Sequence, residues 1–354
     1  MISADDKQYD VLIVGAGLAG SILAYKLILA GLRTIIISDP LTPSASRAAA
    51  GLINPVTGQR MVLQDNIEAL LGSAHSFYKD IENSFAVTLL HQRQMLRLFQ
   101  SEKERTAWQK RLSDPLYSPY IDNHLSEDSS IHAEFGGFIQ SHTGNLDTNL
   151  LLDTLHTWFK QQGVLIEAPF THNQLTIKDE FVLWQQIESK KIVFCEGWRG
   201  QHNQWFNWLP FQPVKGEILT LIAESRVPDQ IINHGKWLLP MNERSFKFGA
   251  TYEREELNEE NTQSAKEELL EAMSAIFVES PNIQIANQNA GVRPGTKDKQ
   301  PFIGFLRDQT LLGIFNGFGS KGSLLIPWYA EAFVSHMTQN SPLPLQADIS
   351  RFHV

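Results

Sequence analysis

The pattern Gly15-x-Gly17-x-x-Gly20, set between a short apolar run and a helical pattern, constrains the fold of this chain more than any other feature. Residues 10–14 have the length and branched apolar content of a buried parallel strand, and residues 18–30 carry Ile22, Leu23, Leu27 and Ala30 at helical spacing. A strand, a glycine turn and a helix in that order open a βαβ unit. Gly15 permits the tight turn, Gly17 lets a pyrophosphate approach the backbone, and Gly20 lets helix and strand pack closely, with the helix N-terminus aimed at the anion. Gly31 closes the helix, a second strand is expected at 34–38, and Asp39 stands 19 positions beyond Gly20, near the spacing at which an acid reaches a ribose hydroxyl. The motif predicts a dinucleotide site built from Gly15, Ala16, Gly17, Leu18, Ala19, Gly20 and the end of the second strand, Ser38 and Asp39. By itself it admits NAD as readily as FAD.

Residues 11–32 are apolar enough to raise the alternative of a secretory or membrane-spanning segment. Asp5, Asp6 and Asp10 precede the run where a signal would be basic, Lys26 interrupts it, and four glycines would weaken a spanning helix. No membrane span is expected, and a cytoplasmic location follows because nothing in the sequence directs export. With 354 residues, 42% hydrophobic and 19% charged, the chain reads as two globular domains. A net charge of -9 argues against a broad nucleic-acid surface. The single cysteine, Cys195, lies in an apolar run and reads as a buried thiol; it excludes an intramolecular disulfide and a multi-cysteine metal site. The eleven histidines show no paired metal-ligand spacing, so no metal is expected, and His75, His142 and His336 read as surface or core-edge residues.

Farther along, 40–58 reads as a loop, 66–85 and 101–112 as helices, the second opening on a Ser101 and Glu104 capping box, and 114–134 as turn-rich. Asp147 can cap a helix running to 162, followed by strands at 164–168, 181–187 and 192–195. From Pro213 the texture changes to alternating strands at 214–222, 236–240 and 246–251, with a hairpin turn at 242–245. A helix at 264–277, with Ser264 and Glu267 as its capping box, short strands at 302–305 and 311–315, and a last helix at 324–336 complete the pattern. The two textures interleave, which predicts discontinuous domains: 1–75, 138–206 and 288–354 in one, 76–137 and 207–287 in the other.

Four stretches, GAGLAG at 15–20, SRAAAGLINP at 46–55, GVRPGTKDKQPFIG at 291–304 and GFGSKGSLLIP at 317–327, together resemble the D-amino-acid-oxidase-like FAD-dependent oxidoreductases of the glycine and sarcosine oxidase type. PVKGE at 213–217, WLLP at 237–240 and GATYE at 249–253 are similar to that family's substrate-domain strands; residues 85–134 have no counterpart. The resemblance implies an α/β (α+β) two-domain flavoprotein of the glutathione-reductase type. Its Rossmann-like FAD-binding domain would be joined to a substrate domain with a mixed or antiparallel sheet.

The small residues at 46–52 can pass close to a flat ring, and by resemblance Ser46, Arg47, Ala50, Gly51 and Leu52 lie beside the cofactor. Gly317, Gly319, Ser320, Lys321, Gly322 and Ser323 combine flexible backbone, a helix N-terminus and a cation, suited to the negative charge of a reduced flavin. Arg293 offers a planar fork for a substrate carboxylate, and by resemblance holds it; the alternative is an ion pair with Asp298. Trp237 falls where the family has an aromatic facing the flavin, or else is plain core. Phe170 and Gly197 fall near the adenine and cofactor backbone contacts. Two departures stand out: Ser38 occupies the usual ribose acid's place, and no cysteine lies near Arg293, so FAD is expected to be non-covalent.

The implied activity is oxidation of the C–N bond of a small amine or amino acid by hydride transfer to flavin N5, followed by hydrolysis of the imine. Arg293, Lys321 and Trp237 are the expected catalytic residues. Oxygen or another acceptor would reoxidise the flavin. Two rivals are oxidation of an N-substituted glycine on modified tRNA and non-catalytic flavin binding.

Overall fold

The computed structural model describes residues 8–122, 131–279 and 281–352. Asp5, Asp6 and residues 123–130 of the turn-rich stretch lie outside them. The chain forms two compact units, one of 1–47, 148–214 and 292–354, the other of 48–147 and 215–291.

In the first unit, Gln8–Val14 lies between Thr34–Ser38 and Ile187–Phe194, parallel to both. Leu165–Glu167 extends the sheet on one side and Leu312–Asn316 on the other, also parallel. Antiparallel strands Val182–Trp184, Leu175–Ile177 and Phe302–Phe305 complete it. Val11, Leu12 and Ile13 are fully buried, as expected of a strand covered on both faces. One face builds a core from Leu12, Val14, Ile35, Ile37, Ile192 and Phe194. The register pairs Val14 with both Ile37 and Phe194, so Gly15, Ser38 and Cys195 emerge side by side at the carboxyl edge of the sheet. Ligands of open parallel sheets bind at that edge.

Helix Leu18–Leu29 leaves this edge and packs along Gly322–Gln339, with Lys26 and Glu331 paired at 3.6 Å. It also meets Thr148–Gln161 through an edge-to-face contact of Tyr25 and Trp158 at 5.1 Å.

The second unit is a seven-stranded sheet in the order Ile283–Arg293, Val214–Ala223, Ser245–Gly249, Lys236–Pro240, Ile231–His234, Met95–Leu98 and Gly137–Gln140. Alternation divides its side chains. Leu219, Leu221, Leu238, Phe246 and Phe248 join Leu269 and Met273 of helix Gln263–Ser274 in one core, whereas Ile231, Leu239 and Met95 face the other way, with Ala50, Leu52 and Trp237.

The domain boundaries fall elsewhere than expected. Residues 48–75 and 138–147 join the second unit, where Leu52–Ile53 pairs with Gly144–Leu146, and that strand with Leu90–Gln92. Residues 207–214 belong to the first, where the Gln212 amide donates to Gly295 O at 2.7 Å. The sequence also misplaces a cap. Thr262, not Ser264, caps Gln263–Ser274, its Oγ1 accepting from the Ala265 amide at 3.2 Å while donating to Glu217 Oε1 at 2.9 Å. The 40–58 segment is not wholly a loop; it contains the short helix Ala45–Ala48 and strands Leu52–Ile53 and Val56–Thr57.

Candidate functional site

Close packing dictates the glycine turn. Gly15 has φ +100°, and a Cβ there would lie 2.5 Å from Cys195 O. A Cβ on Gly20 would overlap the carbonyl oxygen of Gly15. Helix Leu18–Leu29 can therefore start directly against the strand end. Its N-cap, Gly17, has no side chain of its own to close the positive end of the helix.

Two serines from the expected set meet this turn. Ser38 Oγ accepts from the Ala16 amide at 3.2 Å, and Ser46 Oγ accepts from the Leu18 amide at 3.0 Å. Asp39 turns to its own loop, accepting from the Leu41 amide at 2.9 Å and the Thr42 hydroxyl at 2.8 Å. Arg47 is engaged by helix Thr148–Gln161, pairing with Asp153 at 2.6 Å and donating to Asn149 O at 3.2 Å, which fixes the segment that carries Ser46.

A second loop converges on the same region. The Gly319 amide donates to Pro294 O at 3.1 Å, the Gly295 amide donates to Arg293 O at 2.8 Å, and Thr296 lies against Gly317. The half-buried Arg293 is thus joined by backbone to Gly317–Gly319. Lys321 is the N-cap of Gly322–Gln339, its carbonyl accepting from the Leu324 and Leu325 amides at 3.0 Å; Ser323 is buried in the first turn. A Cβ on Gly322 would stand 3.5 Å from Leu18 Cδ2, so the two helix N-termini are neighbours. Asn316 ties in Gly197, donating to its carbonyl at 2.8 Å. Asp298 pairs with Arg351 at 3.0 Å.

A turn that admits no side chain, beside two adjacent helix N-termini, fits a dinucleotide with a pyrophosphate. The family model described as FAD dependent oxidoreductase, DAO, matches residues 10–335. The chain belongs to this family. FAD is accordingly the cofactor, and the residues above are ones that fit it.

This DAO-family chain is 24% identical over 350 residues to the glycine oxidase of Pseudomonas aeruginosa, with 94% of this chain and 96% of that protein covered. It is also 24% identical to the tRNA 5-methylaminomethyl-2-thiouridine biosynthesis bifunctional protein of Acinetobacter baylyi over 93% of this chain, which spans about half (53%) of that protein. The crystal structure of glycine oxidase from Geobacillus kaustophilus superposes with a TM-score of 0.82 at 16% identity, covering 96% of this chain and 97% of that one.

The other expected residues occupy distinct surroundings. Phe170 stacks on Trp184 at 5.6 Å, against the first unit's core. In the second unit, Ala50, Leu52 and Trp237 share an apolar cluster with Leu239, and Gly51 O accepts from the Leu146 amide at 2.9 Å. Trp237 pairs in register with Gly249, and Leu239 with Lys247, which places Lys247 on the Trp237 face. Burial pushes the Lys247 ammonium below the usual lysine range, and Asp147 opposes that shift. Nothing in the sequence singles out Lys247 beyond its place in an alternating strand. Cys195 is buried, and burial pushes its thiol well above the usual range, with Glu196 adding to the shift. Among the described residues no cluster of histidine, cysteine, aspartate or glutamate could hold a metal ion, and no helix is long and apolar enough to cross a membrane.

His156 carries no signal in the sequence that ties it to the glycine turn. From helix Thr148–Gln161 its Nε2 donates to Ala16 O at 2.8 Å, beside the Ser21 hydroxyl, which donates to the same oxygen at 3.0 Å. Burial lowers its pKa from the ordinary 6.5; Arg47 and Lys160 add to that, while the bond to Ala16 and the Asp153 charge oppose it. The unfolded chain therefore takes up a proton that the folded site resists. This contribution to stability is whole above about pH 6.5 and is lost as the pH falls through the depressed folded value. The difference in urea midpoint between wild type and His156→Gln, which keeps a donor, is expected to shift against the wild type between about pH 7.5 and about pH 5. Parallel curves for the two proteins would refute it.

Proposed function

We propose that this DAO-family protein oxidises the C–N bond of a small carboxylated amine, of the glycine or N-alkyl glycine type, with the first unit as the FAD-binding unit and the second as the substrate unit. The observation that carries this reading is the backbone joint between Pro294 O and the Gly319 amide, which fixes Arg293 beside the helix whose N-cap is Lys321.

In this reading the Gly15–Gly20 turn, with Ser38 and Ser46, receives the pyrophosphate and adenosine side of a non-covalent FAD, and Gly317–Ser323 faces its ring. Bound FAD supplies the two-electron acceptor for the hydride leaving the carbon that bears nitrogen. The Arg293 guanidinium grips the substrate carboxylate through its planar fork and so fixes which carbon is presented. Lys321 and the helix dipole favour negative charge at that end of the site. A substrate amine arriving neutral needs no protein base, and none is assigned; oxygen or another acceptor completes the turnover.

The purified protein is expected to show flavin absorbance bands that N-alkyl glycines bleach under anaerobic conditions. Protein without bands after reconstitution with FAD, or bands that no amine or amino acid bleaches, would overturn the proposal. The tRNA-linked relative favours one second reading, in which the N-substituted glycine is borne on a modified tRNA base. Retention on immobilised tRNA at physiological salt would support it against the net charge of -9.

A further inference from the structure

Glu196 is an acid in an unexpected place. It follows Cys195 at the carboxyl edge of the sheet, and its backbone nitrogen lies 3.6 Å from where a Cβ of Gly15 would be. A carboxylate rooted next to a pyrophosphate turn repels the ligand that the turn is built to hold.

The structure removes that conflict with two residues from other segments. Glu196 Oε1 pairs with His172 Nε2 at 2.7 Å, and Glu196 Oε2 accepts from Asn203 Nδ2 at 2.7 Å. Asn203 is fully buried, and its own Oδ1 accepts from the Trp205 amide at 2.9 Å, so its amide cannot turn away. The His172 ring is held edge-on among Phe170, Phe194 and Trp205 at 5.8, 5.7 and 5.6 Å. Both oxygens of Glu196 are thereby aimed at this cluster. The bond to Glu196 raises the His172 pKa against the effect of burial, which favours the cationic imidazole and a neutral pair.

We propose that His172 and Asn203 are positioning residues for the cofactor: they orient the Glu196 carboxylate away from the glycine turn and neutralise it, so that a doubly charged pyrophosphate can bind there. The proposal rests on the Gly15–Gly20 turn being the pyrophosphate site.

The test is the affinity of the apoprotein for FAD, followed by equilibrium dialysis at low and high salt. His172→Ala is expected to weaken binding about tenfold at low salt and less at high salt, because an uncompensated charge is screened. Adding Glu196→Gln to that variant is expected to restore binding to within about threefold of wild type, and Glu196→Gln alone is expected to bind FAD at least as tightly as wild type. A double variant as weak as His172→Ala would reduce His172 to a packing residue and overturn the proposal. So would weakened binding by Glu196→Gln alone, which keeps the size of the side chain and provides an answer even if His172→Ala does not fold. Failure of the wild type to bind FAD would overturn the cofactor assignment itself, a different result from wild-type binding without the rescue.

Discussion

Gly20→Ala is expected to leave purification without flavin. The new methyl group would occupy the space of the Gly15 carbonyl oxygen, so the first helix must shift off the strand end. The Ala16 and Leu18 amides, now aligned with Ser38 and Ser46, shift with it. An affinity loss of about 100-fold or more, about 2.8 kcal/mol, is the expected size, measured by flavin retention and by titration of the apoprotein with FAD. Thermal unfolding of the FAD-free form separates this from collapse of the fold. A variant that is folded and yellow at the wild-type ratio of flavin to protein would show that the cofactor is not held at this turn.

The second large effect is expected at Arg293. On the proposed reading, Arg293→Ala leaves a substrate carboxylate in a partly desolvated site without its counter-charge, a loss of about 2–5 kcal/mol. The Michaelis constant for a carboxylated amine should then rise at least about 30-fold, with a smaller change in kcat. Arg293→Lys should recover only part of the loss, because an ammonium lacks the planar fork. Equal constants for wild type and Arg293→Ala would remove the carboxylate from the substrate description.

The strand, glycine turn and helix were legible in the sequence because their determinants are local. Strand, turn, glycines and helix lie within about twenty residues, and each glycine answers a steric demand of its immediate neighbours. Ser46, Arg293 and Lys321 were singled out only through the family resemblance, since what joins Arg293 to the last helix is a bond between Pro294 and Gly319 that has no local signature. Met95–Leu98 escaped notice because Arg97 interrupts its apolar run; the fold buries Arg97 by giving Nη2 the Gly58 carbonyl at 2.6 Å. Ile283–Arg293 escaped because it forms one edge of its sheet and Gln284, Asn287, Gln288 and Asn289 interrupt its apolar residues. Thr262 displaced Ser264 as a cap because Glu217, 45 positions earlier, uses the same hydroxyl. The pairing of Glu196 with His172 was hidden in the same way, between two segments 24 positions apart.

Neither unit is a continuous stretch of chain: the backbone passes between them at 47–48, 147–148, 214–215 and 291–292. A gene fragment of this protein is consequently not a module. No single cut releases either unit intact, and a premature stop after residue 311 would remove not a tail but the parallel strand Leu312–Asn316 and the helix whose start adjoins Leu18. Fusion partners, swapped segments and split versions of this enzyme must respect spatial neighbours rather than linear order, because Leu18–Leu29 and Gly322–Gln339, about 300 positions apart, form a single piece of architecture.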